Sequence, residues 1–103
     1  MSERIDVCAL DDLADGTVKL VSVARRKVAL SRIGGEVFAM EDACPHFGGP
    51  LSGGQLHVRR KELICPWHRM RFRLADGCSV TNNELVAKTF PVAVENGRVY
   101  VTV

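Results

Sequence analysis

Apolar and polar residues alternate along much of this chain with a period of two, which is typical of half-buried strands. The alternation is clearest at Thr17–Val23 and at residues 27–33, and we interpret both segments as strands. Gly34-Gly35 separates the second of them from residues 36–40, and a two-glycine connection predicts a hairpin. Residues 95–97, Glu-Asn-Gly, predict another hairpin between two apolar runs near the end of the chain.

The remaining pattern leaves little room for helices. Asp76-Gly77 predicts a turn after the segment MRFRL, and only residues 10–14 suggest a single helical turn. Many short antiparallel strands without a substantial helix indicate an all-β fold, a small antiparallel β-sandwich or barrel. The length of 103 residues suits one domain, which we place at residues 1–103.

Composition indicates the class of protein and the compartment in which we expect it. Apolar residues make up 47% of the chain and charged residues 25%, as in ordinary globular proteins. The sequence shows no secretory signal and no apolar run near the length of about 20 residues that spans a membrane. We therefore expect a cytoplasmic protein without membrane contact, whose four cysteines are ligands or free thiols rather than disulfides.

Two Cys/His pairs carry the candidate chemistry. Cys44 and His46 form the first pair, and Cys65 and His68 form the second after an interval of eighteen residues. Each pair follows a predicted strand and lies in a loop that contains proline. Thiolate and imidazole are common ligands of Zn²⁺ and of iron–sulfur clusters, so this spacing predicts metal binding. From the spacing alone, a closed structural zinc site and a [2Fe–2S] cluster with two cysteines and two histidines both remain open.

Glycines beside the first pair favour the cluster. They permit tight, partly left-handed backbone paths, and we expect their amides to approach the bridging sulfides and donate hydrogen bonds to them. A single zinc ion needs such donors less. The glycines concerned are Gly48, Gly49, Gly53 and Gly54.

The segments CPHFGGPLSGG and CPWHRMRF resemble the two cluster-binding boxes of Rieske [2Fe–2S] proteins, in particular the small Rieske-type ferredoxins. The likeness extends to the FPV segment and the closing NGRVYVTV, and so covers nearly the whole chain. It implies one Rieske-type [2Fe–2S] cluster per chain, with Cys44 and Cys65 on the inner iron and His46 and His68 on the outer iron. A weaker match implies that Pro91 closes a third loop near the cluster.

Several positions depart from the family pattern. The family often has glycine after the second histidine, where this chain has Arg69. High-potential members add a disulfide that would need cysteines at about Gly49 and Trp67, and they place hydroxyl donors where this chain has Met70 and Phe72. Without those donors, we expect a reduction potential at the low end of the Rieske window, which spans about −150 to +300 mV.

By this resemblance, the protein is expected to be an electron carrier and not an enzyme. It would pass single electrons from a flavin-dependent ferredoxin reductase to a terminal oxygenase, as a monomer. The sequence contains no catalytic triad pattern, no phosphate-binding loop and no nucleic-acid-binding module, so we expect no nucleic-acid partner. Two alternatives remain: the small Rieske subunit of a nitrite-reductase-like complex, and a zinc-stabilised interaction module.

Other residues receive simpler interpretations. His57 is expected on an exposed strand or turn, Cys8 as a free thiol in a strand, and Cys78 as a free thiol in a turn. Among the basic residues near the pairs, the first three in sequence are interpreted as a solvated face, and the other three either as a solvated strand face or as a collar that steers an acidic partner. In sequence order, these basic residues are Arg59, Arg60, Lys61, Arg69, Arg71 and Arg73. An apolar rim around the cluster is expected from Phe47, Pro50, Leu51 and Trp67, while Phe72 is expected in the core.

Overall fold

The computed structural model describes residues 3–45, 49–67, 69–80 and 85–103. Ten strands account for most of the regular structure within these ranges. They are β1 (Arg4–Ala9), β2 (Thr17–Val23), β3 (Arg26–Ile33), β4 (Glu36–Glu41), β5 (Gln55–His57), β6 (Glu62–Ile64), β7 (Arg71–Arg73), β8 (Thr89–Phe90), β9 (Val92–Glu95) and β10 (Arg98–Thr102). Two short 3-10 turns, Leu10–Asp12 and Leu51–Gly53, complete the description.

The strands form three sheets in which all pairings are antiparallel, so the all-β prediction is confirmed. The largest sheet has the order β2-β3-β4-β8. A three-stranded sheet, β1-β10-β9, unites the two ends of the chain, and a second three-stranded sheet is the meander β5-β6-β7. None of the helices within the described ranges is long and apolar enough to cross a membrane.

The four-stranded sheet is covered on both faces, which creates two cores. On β3, Val28 and Leu30 face a core shared with the β1-β10-β9 sheet, while Ala29 faces a core shared with the β5-β6-β7 meander. Neighbouring side chains in a strand point to opposite faces, so β3 needs apolar residues at consecutive positions. Cys44 and Cys65 both belong to the second core. The site is therefore built on the meander side of the central sheet.

The glycine-based turns lie where the sequence predicts them. Gly34 has φ +62° in the β3–β4 hairpin, and Asn96 and Gly97 have φ +51° and +74° in the β9–β10 hairpin. Such left-handed backbone is the reason for glycine and asparagine in two-residue hairpin turns. The helical turn suggested at residues 10–14 is also present, at Leu10–Asp12.

One tight hairpin has no sequence signal. Ala24 and Arg25 connect β2 to β3 with φ values of +48° and +68°, although neither residue favours the left-handed region. The register of the flanking strands, in which Val23 pairs with Arg26, leaves only these two residues for the connection. The long pairing of β2 with β3 therefore imposes a turn that the residues themselves do not favour.

Candidate metal centre

The first cysteine lies in a loop that its own backbone closes. β4 ends at Glu41, and the amide of Cys44 then donates to the carbonyl of Gly49 over 2.8 Å. The carboxylate of Asp42 accepts a hydrogen bond from the amide of Ser52 at 2.6 Å, which ties the start of the loop to the residues that follow it. Sequence analysis did not single out Asp42, because an acidic residue two positions before a cysteine is not by itself a recognisable motif.

The second loop repeats this design. β6 ends at Ile64, and the amide of Cys65 donates to the carbonyl of Met70 over 2.8 Å. In both loops, a cysteine amide thus bonds to the carbonyl five residues later. Both cysteines follow the end of a strand, and the predicted placement of the two pairs after strands is confirmed for the described residues.

The two loops bring their cysteines into contact. Cys44 is 3% exposed, Cys65 is 0% exposed, and both side chains pack in the second core. Burial raises the pKa of the Cys65 thiol, the backbone amide of Trp67 lowers it, and the neighbouring Cys44 thiol raises it again. Two neighbouring buried sulfurs fit the cysteine half of a [2Fe–2S] site. Burial disfavours charged thiolates, but coordination to a metal stabilises them.

His46 and His68 lie outside the described residues. Within the part of the chain that the structure describes, no group of three or more potential metal ligands comes together. The structure thus joins the two predicted cysteines, while the two predicted histidines stay a prediction.

The glycines have a different role from the one expected. The amide of Gly53 donates to the carbonyl of Pro50, and that of Gly54 donates to the carbonyl of Leu51, both over 3.0 Å. The prediction that these two amides serve cluster sulfides is therefore wrong, because the Leu51–Gly53 turn uses them. A Cβ on Gly54 would lie only 1.8 Å from the carbonyl oxygen of Ile64, so this position needs glycine for close packing. Gly48 lies outside the described residues.

Gly49 provides the contact between the two loops. A Cβ at this position would lie 2.9 Å from the indole ring of Trp67 and 3.2 Å from the sulfur of Cys65. The two positions at which the high-potential pattern would need a disulfide therefore touch each other, with glycine packed against tryptophan. This packing joins the loops without a covalent bond.

Substitution of Gly49 by alanine is expected to displace the Trp67 ring, because the new methyl group would overlap it. Trp67 is the only tryptophan in the chain, so tryptophan fluorescence reports on the surroundings of this one ring. The ring is 50% exposed, and its remaining contacts include Gly49. We expect the emission of the metal-free Gly49→Ala protein to shift to longer wavelength as the ring becomes more hydrated. Gly53→Ala, which meets nothing closer than 3.9 Å, is the control. An unchanged spectrum in Gly49→Ala would contradict the loop contact.

The rim prediction is confirmed only in part. Trp67 and Pro50 are exposed, as expected for a surface beside the cysteines. The prediction for Leu51 is wrong: its side chain is 0% exposed, since the 3-10 turn directs it into the second core. Phe72 is fully buried in the same core, as predicted. Phe47 lies outside the described residues.

The basic residues divide into paired and unpaired groups. Arg71 lies 3.8 Å from Glu62, and Arg73 lies 3.2 Å from Asp76. Both flank the buried Phe72 on β7, so the strand-face interpretation is correct for them. The nitrogen of Lys61 lies 2.7 Å from Glu36, and Arg59 and Arg60 are exposed in the same turn.

Arg69 differs from the other basic residues. It follows the second predicted histidine, has φ +55°, and lines a cavity of about 240 Å³. Its left-handed backbone explains why glycine is common at this position in the family it resembles. The other residues that line the cavity are Gly53, Gly54, Gln55, Ile64, Cys65 and Pro66.

The place of Pro91 in a third loop near the cluster stays a prediction. Pro91 joins β8 to β9, its carbonyl accepts a hydrogen bond from the amide of Thr102, and it lines a separate cavity with Phe38 and Phe90. The pairing of β9 with β10 begins at the next residue, Val92.

The remaining candidate residues are peripheral. His57 is the last residue of β5, and its Nδ1 accepts a hydrogen bond from the amide of Arg60. It lies in a strand, which is one of the two predicted places, but its side chain is half-buried and not exposed. Cys8 lies in β1, as predicted, and burial raises the pKa of its thiol. Cys78 forms an isolated bridge with Val86 just after the Asp76-Gly77 turn. All four cysteines are free of disulfides.

Known proteins are similar to this chain over most of its length, and not only at the two cysteine loops. The model of the Rieske [2Fe-2S] domain family matches residues 3–94. The ferredoxin component of the naphthalene 1,2-dioxygenase/salicylate 5-hydroxylase systems of a Ralstonia species is 37% identical over 98 residues, covering 92% of this chain and 90% of the relative.

Two solved structures share the fold. One is a chain in the complex of reduced oxygenase and oxidized ferredoxin in carbazole 1,9a-dioxygenase, with 32% identity, a TM-score of 0.84 and coverage of 95% of this chain and 91% of the other. The second, from Mycobacterium tuberculosis, is assigned as the small subunit of an NADH-dependent nitrite reductase. It is 26% identical, has a TM-score of 0.90, and the match covers 100% of this chain and 96% of the other. The chain belongs to the Rieske [2Fe–2S] domain family, and its cofactor is a Rieske-type cluster.

Proposed function

We propose that this protein is a Rieske-type ferredoxin, an electron carrier that takes electrons from a flavin-dependent ferredoxin reductase and delivers them to a terminal oxygenase. The observation that carries the proposal is the contact between the buried Cys44 and Cys65 thiols, each at the start of a loop closed by the same backbone hydrogen bond. That geometry supplies one half of a two-iron site. The likeness to ferredoxin components supplies the electron-transfer context.

The ligand set that we propose is Cys44, His46, Cys65 and His68, with the cysteines on the inner iron. A bound [2Fe–2S] cluster supplies one-electron redox chemistry. The chain contributes thiolates held in a core that excludes water, and the backbone hydrogen bond from Trp67 favours the thiolate form of Cys65.

We place the reduction potential at the low end of the Rieske window. After the second loop, Met70 is half-buried and Phe72 is buried, and neither side chain can donate a hydroxyl hydrogen bond. Hydrogen bonds to the sulfurs stabilise the reduced cluster and raise its potential, so their loss lowers it. A low potential suits delivery of electrons to an oxygenase.

The chain works, in our proposal, as a monomeric single domain of residues 1–103 in the cytoplasm, and it catalyses no reaction itself. The similarity to a ferredoxin component of nearly the same length supports a free-standing carrier. The four cysteines without disulfides suit a reducing compartment.

A second candidate function rests on one specific observation. The structure assigned as a nitrite reductase small subunit has a TM-score of 0.90 and matches over the whole of this chain. By this likeness, the protein would be a fixed subunit of a larger reductase.

Purification of the tagged chain from its native host distinguishes these functions. The carrier is expected to elute near its own mass of 11.3 kDa, and NADH should reduce it only when a flavin-dependent reductase is added. Stoichiometric copurification with a large haem or flavin subunit would instead establish the reductase subunit. A colourless protein with one zinc ion would establish the interaction module.

A further inference from the structure

Arg69 is an exposed cation in the second cysteine loop. Arg71, Arg73 and Lys61 each lie within 4 Å of a carboxylate oxygen. Among the residues that the structure describes, no acidic side chain pairs with the guanidinium of Arg69 and no acceptor takes a hydrogen bond from it. The side chain of Arg69 is exposed, so a group from outside the chain can reach it.

The backbone shows that the arginine is held at some energetic expense. Its φ of +55° lies in the left-handed region, where every side chain with a Cβ is disfavoured relative to glycine. Strained backbone of this kind persists at positions that bind or act, because the fold around them over-determines the conformation. Lys61 has the same left-handed backbone, so the strain alone assigns no role to Arg69, whose role depends on where its side chain lies.

The position of Arg69 indicates what kind of group it receives. It lines the cavity of about 240 Å³ together with Cys65, and among the described lining residues it is the only cation. Gln55 lines the same space, and its side chain carries a further hydrogen-bond donor. The volume is several times that of a carboxylate group, so an acidic side chain can enter with bound water.

We propose that Arg69 and this cavity receive a carboxylate from the surface of the redox partner, so that this face selects a partner with an acidic docking surface. The inference rests on the proposed electron-transfer function and names the chemistry of its partner. A single contact beside Cys65 brings the partner close to the electron source, and charge complementarity at such small interfaces acts mainly on the association rate.

Two small oxidants of opposite charge test the site on the cluster-loaded protein. Ferricyanide, a trianion, takes one electron and becomes ferrocyanide, while tris(phenanthroline)cobalt(III), a trication, takes one electron and becomes the cobalt(II) complex. In each reaction the reduced protein loses one electron. Stopped-flow rate constants are compared for the wild type and for Arg69→Gly, which removes the charge and relieves the backbone.

Lys61→Gly is the matched control. Lys61 is also an exposed cation with a left-handed backbone, φ +53°, but it lies at the end of β6 opposite to Cys65. At low salt, we expect Arg69→Gly to lower the ferricyanide rate by about three- to tenfold and to raise the cobalt rate, whereas Lys61→Gly changes either by less than about twofold. Added salt should remove the difference, because it screens exposed charges.

The opposite responses separate docking from a change in potential, because a shift in potential would move both rates in the same direction. Equal effects of Arg69→Gly on both oxidants, or equal effects in Lys61→Gly, would overturn the carboxylate site. Hexaglutamate supplies the carboxylate directly, and it should slow ferricyanide reduction by the wild type but not by Arg69→Gly. Failure to load a cluster at all would contradict the proposed function instead, and that outcome is visible before any rate is measured.

Discussion

Substitution of Gly54 by alanine is expected to lower the free energy of unfolding by about 3 kcal/mol, enough to lower Tm by about 15 °C. The reason is geometric. The new Cβ would lie 1.8 Å from the carbonyl oxygen of Ile64 and 3.2 Å from that of Leu51, and both atoms are backbone. Neither can move without disturbing the pairing of Gln55 with Ile64, which starts the β5-β6-β7 meander.

The neighbouring residue supplies the control for this prediction. A Cβ on Gly53 would have its nearest contact 3.9 Å away, at the side chain of Pro50. Gly53→Ala should therefore stay within about 0.5 kcal/mol of the wild type in urea unfolding followed by circular dichroism. Equal stability of the two variants would contradict the close packing of the Gly54 backbone on β6.

Loss of either buried cysteine is expected to abolish the metal centre while the fold survives. Cys65→Ala and Cys44→Ala remove a thiolate ligand but keep a small apolar side chain in the second core, where serine would bury an unpaired hydroxyl. Bound iron per chain should fall by more than about tenfold in both variants. Iron and acid-labile sulfide analysis, with circular dichroism on the same samples, measures the two effects separately.

Cys8→Ala and Cys78→Ala are the matched controls for the ligand variants. Both residues are half-buried, and neither belongs to the core that contains Cys44 and Cys65. They should retain full iron and sulfide. If all four cysteine variants lost iron equally, or if Cys65→Ala kept it, the assignment of the cysteine ligands would be wrong.

The elements that could be predicted are those whose cause is local. Gly34 and the Asn96-Gly97 pair fix their hairpins by their own left-handed preference, and the alternation in β2 and β3 follows from the two faces of one strand. The cysteine loops could also be recognised in the sequence, because a metal site built on two short loops has its ligands in two short segments.

The features that escaped prediction depend on partners distant in sequence. Ala24 and Arg25 form a turn only because β2 and β3 pair along their full length. Gly54 owes its identity to the carbonyl of Ile64 on another strand, and Leu51 is buried because its 3-10 turn packs on the central sheet. No local periodicity contains this information.

The amide donors expected from the glycine-rich segment illustrate the same limit. Composition indicated tight, partly left-handed backbone, but Gly53 and Gly54 are not left-handed, and among the described glycines of this segment close packing is present at Gly49 and Gly54 only. It could not indicate that the amides of Gly53 and Gly54 bond to carbonyls three residues earlier. The fold uses these glycines to pack one loop on the next strand and, at Gly49, to join the two loops.

The most direct test of the central claim is an EPR spectrum of the dithionite-reduced protein, with iron and acid-labile sulfide counted on the same sample. We predict two irons and two sulfides per chain and a rhombic Rieske-type signal, with no signal in Cys65→Ala. A silent spectrum from a protein that holds one zinc ion and no sulfide would contradict the electron-carrier function and identify the site as structural.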